Sequence, residues 1–174
     1  MALRRLRRPL GRLIPLIGMA MLLAGCAVGA ATPVTRSATP QPSYRIVNGT
    51  KYVPVGTAEQ QYRAEASTLR LPAAQVWQAH PLASTDQGSP VWYQDGFGRQ
   101  TADRYWFCKW AAVAASTANP TVRRDAVTTL QAMLRLYYYT TALDVPSRPQ
   151  LVRELTSAQR GDLRELRNDL SLNC

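Results

Sequence analysis

The sequence predicts a mainly α-helical domain of four to five helices with a β-hairpin at its N-terminal end, and three patterns predict it. Between residues 122 and 138, apolar side chains recur every three or four positions, as they do on one face of a helix. Residues 105–115 are apolar on nearly every side, which is typical of a helix buried at the centre of a domain. Asn48-Gly49 separates two segments rich in β-forming residues, and this pair favours the type I′ turn of a hairpin.

The first half of the chain is expected to mix short elements with loops. The hairpin covers residues 44–53, and residues 57–69 are compatible with a helix that a proline then ends. Residues 72–78 are compatible with a second short helix, because proline is tolerated in a first turn. Residues 80–90 are rich in Ser, Asp, Gly and Pro and are typical of a loop, after which residues 91–93 form a brief strand.

Two long helices are expected in the middle of the chain. Thr101 has the residue type of an N-cap for a central helix over residues 102–116. Asn119 caps the next helix, and Pro120 suits its first helical position. The apolar stripe of that second helix continues to about residue 143, where we expect the helix to end.

The C-terminal part of the chain is expected to hold shorter helices. A linker over residues 144–149 precedes a short helix over residues 150–155. Residues 156–159 have the spacing of a capping box, which begins a last helix striped by Leu163, Leu166 and Leu170. Gly161 lies in the first turns of that helix at a cost of about 1 kcal/mol relative to alanine, or else it marks a break.

The first 26 residues have the pattern of an export signal. Five arginines precede an apolar run over residues 13–23, which is shorter than the roughly 20 residues that a spanning helix needs. The run ends in Leu23-Ala24-Gly25-Cys26, which resembles the lipobox of bacterial lipoproteins. In that class the cysteine receives a diacylglycerol on its sulfur, and the peptide is cut just before it. The resemblance implies an extracytoplasmic protein that is lipid-anchored through Cys26 to the cell membrane or the outer membrane.

These patterns divide the chain into three parts. Residues 1–25 form the signal peptide, residues 26–43 a flexible tether of small, polar and proline residues after the lipidated cysteine, and residues 44–174 a single extracytoplasmic domain. Of the 21 basic residues five lie in the signal, whereas all 11 acidic residues lie beyond it, so the mature chain carries a net charge of +5. The two signs are interspersed rather than gathered into a basic stripe, so no nucleic-acid partner is expected.

The remaining cysteines predict a disulfide. With Cys26 assigned to the lipid, Cys108 and Cys174 are an even pair in an oxidising compartment. A bond between them would tie the last residue of the chain to the central helix. The alternative is a buried Cys108 thiol with Cys174 free or bonded to another chain.

Catalytic motifs are sparse in this sequence. His80 is the single histidine, and no nucleotide-binding or serine-hydrolase motif occurs, so no metal site or cofactor is expected. Ser84 and Asp86 are near His80 in sequence, which is no evidence of a catalytic triad. Asp95 and Asp103 flank the aromatic segment and are the best available carboxylate pair for cleaving a glycan. The alternative is that Asp95 makes a turn and Asp103 stabilises a helix N-terminus.

Aromatic residues are concentrated between residues 92 and 110, which hold seven of the fourteen in the chain. We expect those of residues 105–110 to pack in the core. Trp92, Tyr93, Phe97 and Arg99 lie in a loop-rich stretch, where binding residues are common, and form the candidate binding surface. The alternative is again a place in the core.

Taken together, these features favour a non-catalytic, lipid-anchored binding or scaffolding protein that holds an envelope protein or glycan near the membrane. Two other functions stay open. One is a small cell-wall glycan hydrolase that uses Asp95 and Asp103. The other is an accessory or inhibitor subunit of an exported enzyme, with residues 92–99 inserted into its partner.

Overall fold

The computed structural model describes residues 43–174, so the predicted signal peptide, Cys26 and nearly all of the tether lie outside the described residues. The described chain is mainly helical and begins with the expected hairpin. Strands β1 (Arg45–Val47) and β2 (Thr50–Pro54) are antiparallel. Asn48 and Gly49 join them with φ of 48° and 77°, which is the pair of positive values that a type I′ turn requires.

The hairpin belongs to a three-stranded sheet that the sequence pattern only partly indicated. Helix α1 (Val55–Ala66) follows β2 directly, and a two-stranded ribbon, β3 (Thr85–Asp86) and β4 (Ser89–Pro90), comes next. Strand β5 (Trp92–Gln94) then pairs antiparallel with β2 and completes the sheet in the order β1-β2-β5. The hairpin is therefore supported by a third strand and by α1, which isolated hairpins need for stability.

The prediction of a short helix over residues 72–78 is wrong. Ala74 has a φ of 64°, which no right-handed helix contains. The carbonyl oxygens around it bond to side chains of the central helix instead of to a helical ladder. The indole N–H groups of Trp106 and Trp110 both donate to the Arg70 carbonyl, at 3.0 and 2.9 Å, and the Tyr105 hydroxyl donates to the Val76 carbonyl at 2.8 Å. These bonds satisfy a segment that carries no regular structure.

The central helix is confirmed, but it begins five residues earlier than Thr101 predicts. Helix α2 (Phe97–Ser116) starts immediately after Gly96, whose φ is 90°. Thr101 lies inside the helix, where its hydroxyl donates to the Phe97 carbonyl at 2.8 Å. Gly98 decides the contact with α1, because a Cβ at this position would collide with the Ala58 carbonyl oxygen. The missing side chain lets α1 and α2 pack backbone against backbone.

The next helix is capped as predicted and ends much sooner. Helix α3 (Pro120–Leu130) begins after Asn119, whose Oδ1 accepts hydrogen bonds from two backbone N–H groups at 2.9 and 3.3 Å. The chain continues as a 3-10 helix over Gln131–Arg135, becomes extended at Leu136, and forms a π-helical turn over Tyr138–Ala142. The prediction of one continuous helix to residue 143 is therefore wrong.

A buried carboxylate stabilises this break. The Oδ2 atom of Asp103, on α2, accepts the backbone N–H of Tyr138 at 2.7 Å. A break in a helix releases such N–H groups, and a buried one that found no acceptor would be costly. The apolar stripe continued through the break, since both segments pack on the same core, and this is why the periodicity predicted a single helix.

At the C-terminal end, a 3-10 turn over Val145–Ser147 leads into α4 (Arg148–Gln159), which is twice as long as expected. Thr156 is not a cap, because it lies inside α4 and its hydroxyl donates to the Val152 carbonyl. Gly161, with φ of 91°, marks the alternative break and ends α4 in a left-handed turn. Helix α5 (Arg164–Asn173) completes the fold.

The main core lies where α2, α3, α4 and α5 meet, and it contains the leucines predicted to stripe the last helix. Cys108 on α2 and Cys174 after α5 form the expected disulfide, with their Cα atoms 5.7 Å apart. Within residues 43–174 no helix has both the length and the apolar character needed to cross a membrane.

Candidate functional site

The four residues of the predicted binding surface do not form one surface. The rings of Tyr93 and Phe97 stack with centroids 5.0 Å apart and pack against a small buried cluster of Val53, Ala58 and Leu82. The Tyr93 hydroxyl also donates to the Ala83 carbonyl at 2.9 Å. These two aromatic side chains therefore attach the sheet to α1, which is the core role that the sequence left open.

Trp92 faces the other side of the sheet. Val53 and Tyr93 are paired in the register and point toward α1, so the neighbouring pair Pro54 and Trp92 points away from it. The Arg45 guanidinium lies over the Trp92 ring, 3.8 Å from its centroid. We call this side the outer sheet face; it has a concavity of about 250 Å³, lined by Arg45, Val47, Tyr52, Pro90 and Trp92.

Arg99 lies on α2 and has different neighbours. Its Nε atom is 3.3 Å from the Glu65 carboxylate on α1, and its guanidinium is 5.0 Å from the centroid of the Tyr137 ring. These contacts link α1, α2 and the segment after α3. Arg99 therefore helps to hold helices together and does not belong to the outer sheet face.

The proposed carboxylate pair is also divided between two structural roles. The Oδ2 atom of Asp95 is 3.0 Å from Lys51 Nζ, and its Oδ1 atom accepts from Gln61 Nε2 at 2.6 Å. The bond to Lys51, with a smaller contribution from Gln61, holds the pKa of the Asp95 carboxyl below its usual range. Asp103 is fully buried, and this burial raises its pKa to about 7. A substrate in solvent could not reach Asp103, so the geometry argues against this pair as hydrolase residues.

His80 has an exposed side chain, and its Nδ1 atom is 3.6 Å from the Glu59 carboxylate on α1. Its charged partner is thus on a helix and is not Asp86, which lies in strand β3 directly after Ser84. Within the described part of the chain, no group of three or more His, Cys, Asp or Glu side chains is placed to hold a metal ion.

A polar site that the sequence patterns did not indicate lies between α4 and α5. Two adjoining cavities of about 440 and 350 Å³ share four lining residues, which we call the α4–α5 groove: Gln150, Glu154, Asp169 and Asn173. Each helix contributes two of them at a spacing of four residues, which puts each pair on one helix face. That repeated polar i,i+4 spacing was the available signal, but the leucines of residues 163–170 indicated only the core-facing side of the last helix.

The carboxylates of the groove have unusual surroundings. Glu154 is only 6% exposed, and its Oε1 atom has no hydrogen-bond partner among residues 43–174. The Oδ1 atom of Asp169 accepts from Asn173 Nδ2 at 2.7 Å, whereas its buried Oδ2 atom finds no donor in the described structure. Burial raises the pKa of Glu154 to about 7, and the negative charges of Asp169 and Glu165 add to this rise.

Comparison of the chain with protein-family models, with curated proteins and with solved structures found no significant match.

Proposed function

We propose that the protein is a non-catalytic binding module of the bacterial envelope. It is anchored outside the cytoplasm to the cell membrane or outer membrane through a diacylglyceryl group on Cys26. It holds an envelope protein by means of its outer sheet face. The observation that carries the binding role is the concavity around Trp92, which stays open within residues 43–174 and combines aromatic, apolar and cationic groups.

The residue types on this face support a protein partner. Trp92, Tyr52 and Arg45 belong to the three residue types most enriched in interface hot spots. Val47, on the same face, is an apolar residue that is 48% exposed. This exposure does not stabilise the isolated domain. An apolar side chain of the partner would fill the concavity and remove this surface from water.

The positive charge of Arg45 further restricts the residue types expected in the partner. Arg45 stacks on Trp92, and no carboxylate of the described chain lies within ion-pairing distance of it. A partner segment with an Asp or Glu beside an apolar residue would pair with the guanidinium and fill the concavity together. Strand β1 has β2 as its one neighbour in the described sheet, so an extended partner segment could also add to its edge.

The position of the face along the chain fits an anchored scaffold. β1 begins at Arg45, and the composition of residues 27–43 predicts a flexible coil with a reach of roughly 20–25 Å from the lipidated cysteine. A protein bound to the outer sheet face would therefore be kept close to the membrane surface. An accessory or inhibitor subunit would use the same face, and assays of the partner's own activity would identify that case.

Site-specific photo-crosslinking in cells tests the proposal. A photoreactive amino acid at Val47 should crosslink to one envelope protein, whereas the same group at Val76, which is 77% exposed and distant from the sheet in sequence, should not. Trp92→Ala should abolish the crosslink from position 47. The purified partner should then bind at least about tenfold more weakly to Trp92→Ala and to Arg45→Ala than to the parent protein.

The same experiment can contradict the proposal. Equal crosslinking patterns from positions 47 and 76, or a crosslink that survives Trp92→Ala, would exclude the outer sheet face as the binding surface. A crosslink to glycan strands instead of protein would show that the partner is a glycan and would contradict the proposed protein partner. Release of the protein from membranes in a Cys26→Ser variant checks the anchor separately, and full membrane retention of that variant would contradict lipidation.

A further inference from the structure

The α4–α5 groove contains two buried carboxylate oxygens, Oε1 of Glu154 and Oδ2 of Asp169, for which residues 43–174 supply no hydrogen-bond donor. A buried acceptor without a donor costs free energy, and the cost is larger for an ionised group. Asp103 is also buried, but one of its oxygens is paired with the Tyr138 N–H. Oδ2 of Asp103 therefore has a backbone donor, whereas Oδ1 of Asp103 and Oε1 of Glu154 have none among the described residues.

The nearest positive groups are engaged elsewhere. Arg164, at the rim of the groove, forms a close ion pair with Asp162 at 2.7 Å. Arg104 donates to the Tyr138 hydroxyl at 3.2 Å and to the Asn173 carbonyl at 3.0 Å. It lowers the pKa of Glu154 through space, but this effect is smaller than the opposing effects of burial and of neighbouring acids. The groove thus keeps an excess of negative charge.

We propose that the α4–α5 groove binds a primary ammonium or guanidinium group. Such a group carries several N–H donors and a positive charge, so it can pair with the carboxylates of Glu154 and Asp169, which line both cavities. Amide groups of Gln150 and Asn173 line the same space and can bond to polar atoms next to the cation. A metal ion fits less well, because calcium requires six to eight oxygen ligands, and no group of three or more His, Cys, Asp or Glu side chains among residues 43–174 is placed to hold a metal.

The size of the groove leaves room for more than a bare cation. Its two adjoining cavities, of about 440 and 350 Å³, fall in the range of small-molecule sites. The cationic group could belong to a free polyamine or to a lysine or arginine side chain of a peptide. Both sources carry the same recognised chemistry, and the choice of probes distinguishes them.

Calorimetric titration of the protein purified from membranes tests this site. The probes are 1,5-diaminopentane and Nα-acetyl-lysine amide, with 1,5-pentanediol as the neutral control of matched length. The variants are Glu154→Gln and Asp169→Asn, which keep the shape of each side chain and remove its charge. Asp125→Asn, which removes an equal charge from an exposed position on α3, is the matched control.

We expect both amines to bind and the diol not to bind. Glu154→Gln and Asp169→Asn should each weaken amine binding at least about tenfold, whereas Asp125→Asn should leave it unchanged. Tighter binding of the diamine identifies a free polyamine as the ligand class, and tighter binding of the lysine amide identifies a peptide side chain. Unchanged thermal unfolding of Glu154→Gln shows that the loss is local.

Two results would overturn the proposal. One is the absence of amine binding at probe concentrations up to about 10 mM. The other is binding that Glu154→Gln weakens no more than Asp125→Asn does, since this would reflect the net charge of the surface. Because Trp92→Ala leaves the groove intact, failure of the crosslinking experiment on the sheet would not affect either result.

Discussion

The surroundings of Asp103 on α2 and of Glu154 on α4 differ in one decisive respect. Both side chains are buried, and burial raises the pKa of each carboxyl to about 7. The Oδ2 atom of Asp103 accepts a backbone N–H from the break after α3, although its Oδ1 atom has no partner, whereas Oε1 of Glu154 meets no donor in the described chain. Similar burial and a similar pKa therefore accompany two different roles. The hydrogen-bond partner, rather than the pKa, separates a structural carboxylate from a candidate binding group.

The largest expected effect of removing a single contact concerns the disulfide that joins α2, which carries Asp103, to the end of α5, which carries Asp169 of the groove. Removing the disulfide with the double substitution Cys108→Ala and Cys174→Ala should lower the free energy of unfolding by about 4 kcal/mol, because the bond closes a loop with a sequence separation of 66. Urea unfolding of the variant and of the reduced parent protein measures this loss. A loss below about 1 kcal/mol in both would mean that packing alone holds α5, with its Asp169, against α2.

The next effect should come from Asp103. Asp103→Ala leaves the Tyr138 N–H buried without an acceptor and should cost about 2 kcal/mol of unfolding free energy. Asp103→Asn keeps an oxygen acceptor in nearly the same place and should cost less. Chemical denaturation of both variants compares the two. Equal losses would show that the charge, and not the hydrogen bond, is what this position contributes.

A further effect should appear in the pH dependence of stability. The pKa of Asp103 rises from 3.8 to about 7 on folding, and that of Glu154 rises from 4.5 to about 7. Between about pH 4 and pH 7 the folded state therefore binds more protons than the unfolded state, so these two groups make stability fall as pH rises. Thermal unfolding across this window should show a flatter profile for the double variant Asp103→Asn, Glu154→Gln. Parallel profiles of stability against pH for this variant and the parent protein would contradict the assignment of the pH dependence to Asp103 and Glu154.

The smallest effect should come from Glu154 alone. Glu154→Gln removes a buried charge without removing a hydrogen bond, so the free energy of unfolding at pH 8 should stay the same or rise by up to about 1 kcal/mol. The same denaturation experiment measures it beside Asp103→Asn. A loss of more than about 1 kcal/mol would show that the Glu154 carboxylate stabilises the fold, as Asp103 does, and would remove the contrast between the two.

The parts of the fold that were predicted correctly depend on local chemistry. Asn48 and Gly49 specify their turn because few residues tolerate positive φ, and Asn119 specifies a helix start because its side chain reaches the next free N–H groups. The pairing of Cys108 with Cys174 followed from counting and from the expected compartment. The aromatics of residues 105–110 were expected in the core; Trp106 and Phe107 lie there, whereas Trp110 packs against it and Tyr105 is half-buried outside it.

The parts that were missed depend on contacts between segments distant in sequence. The early start of α2 is accompanied by the fit of Gly98 against Ala58, and the break after α3 has its acceptor 35 residues away, at Asp103. The prediction that Trp92, Tyr93, Phe97 and Arg99 form one binding surface was wrong for a related reason. Trp92 and Tyr93 are neighbours in sequence, but alternation along β5 sends them to opposite faces of the sheet, and only the pairing with β2 decides which face is covered.

By itself, the sequence determined the helical class, the hairpin and the helix cap at Asn119, because each follows from the preferences of residues near one another in the chain. The cysteine pair followed from counting the cysteines. The tertiary structure alone decided where helices start and break, which face of the sheet the rest of residues 43–174 leaves open, and which buried carboxylate oxygens lack a donor among these residues. Burial and hydrogen-bond satisfaction depend on what packs against a residue, and a single chain pattern carries no direct record of its distant neighbours.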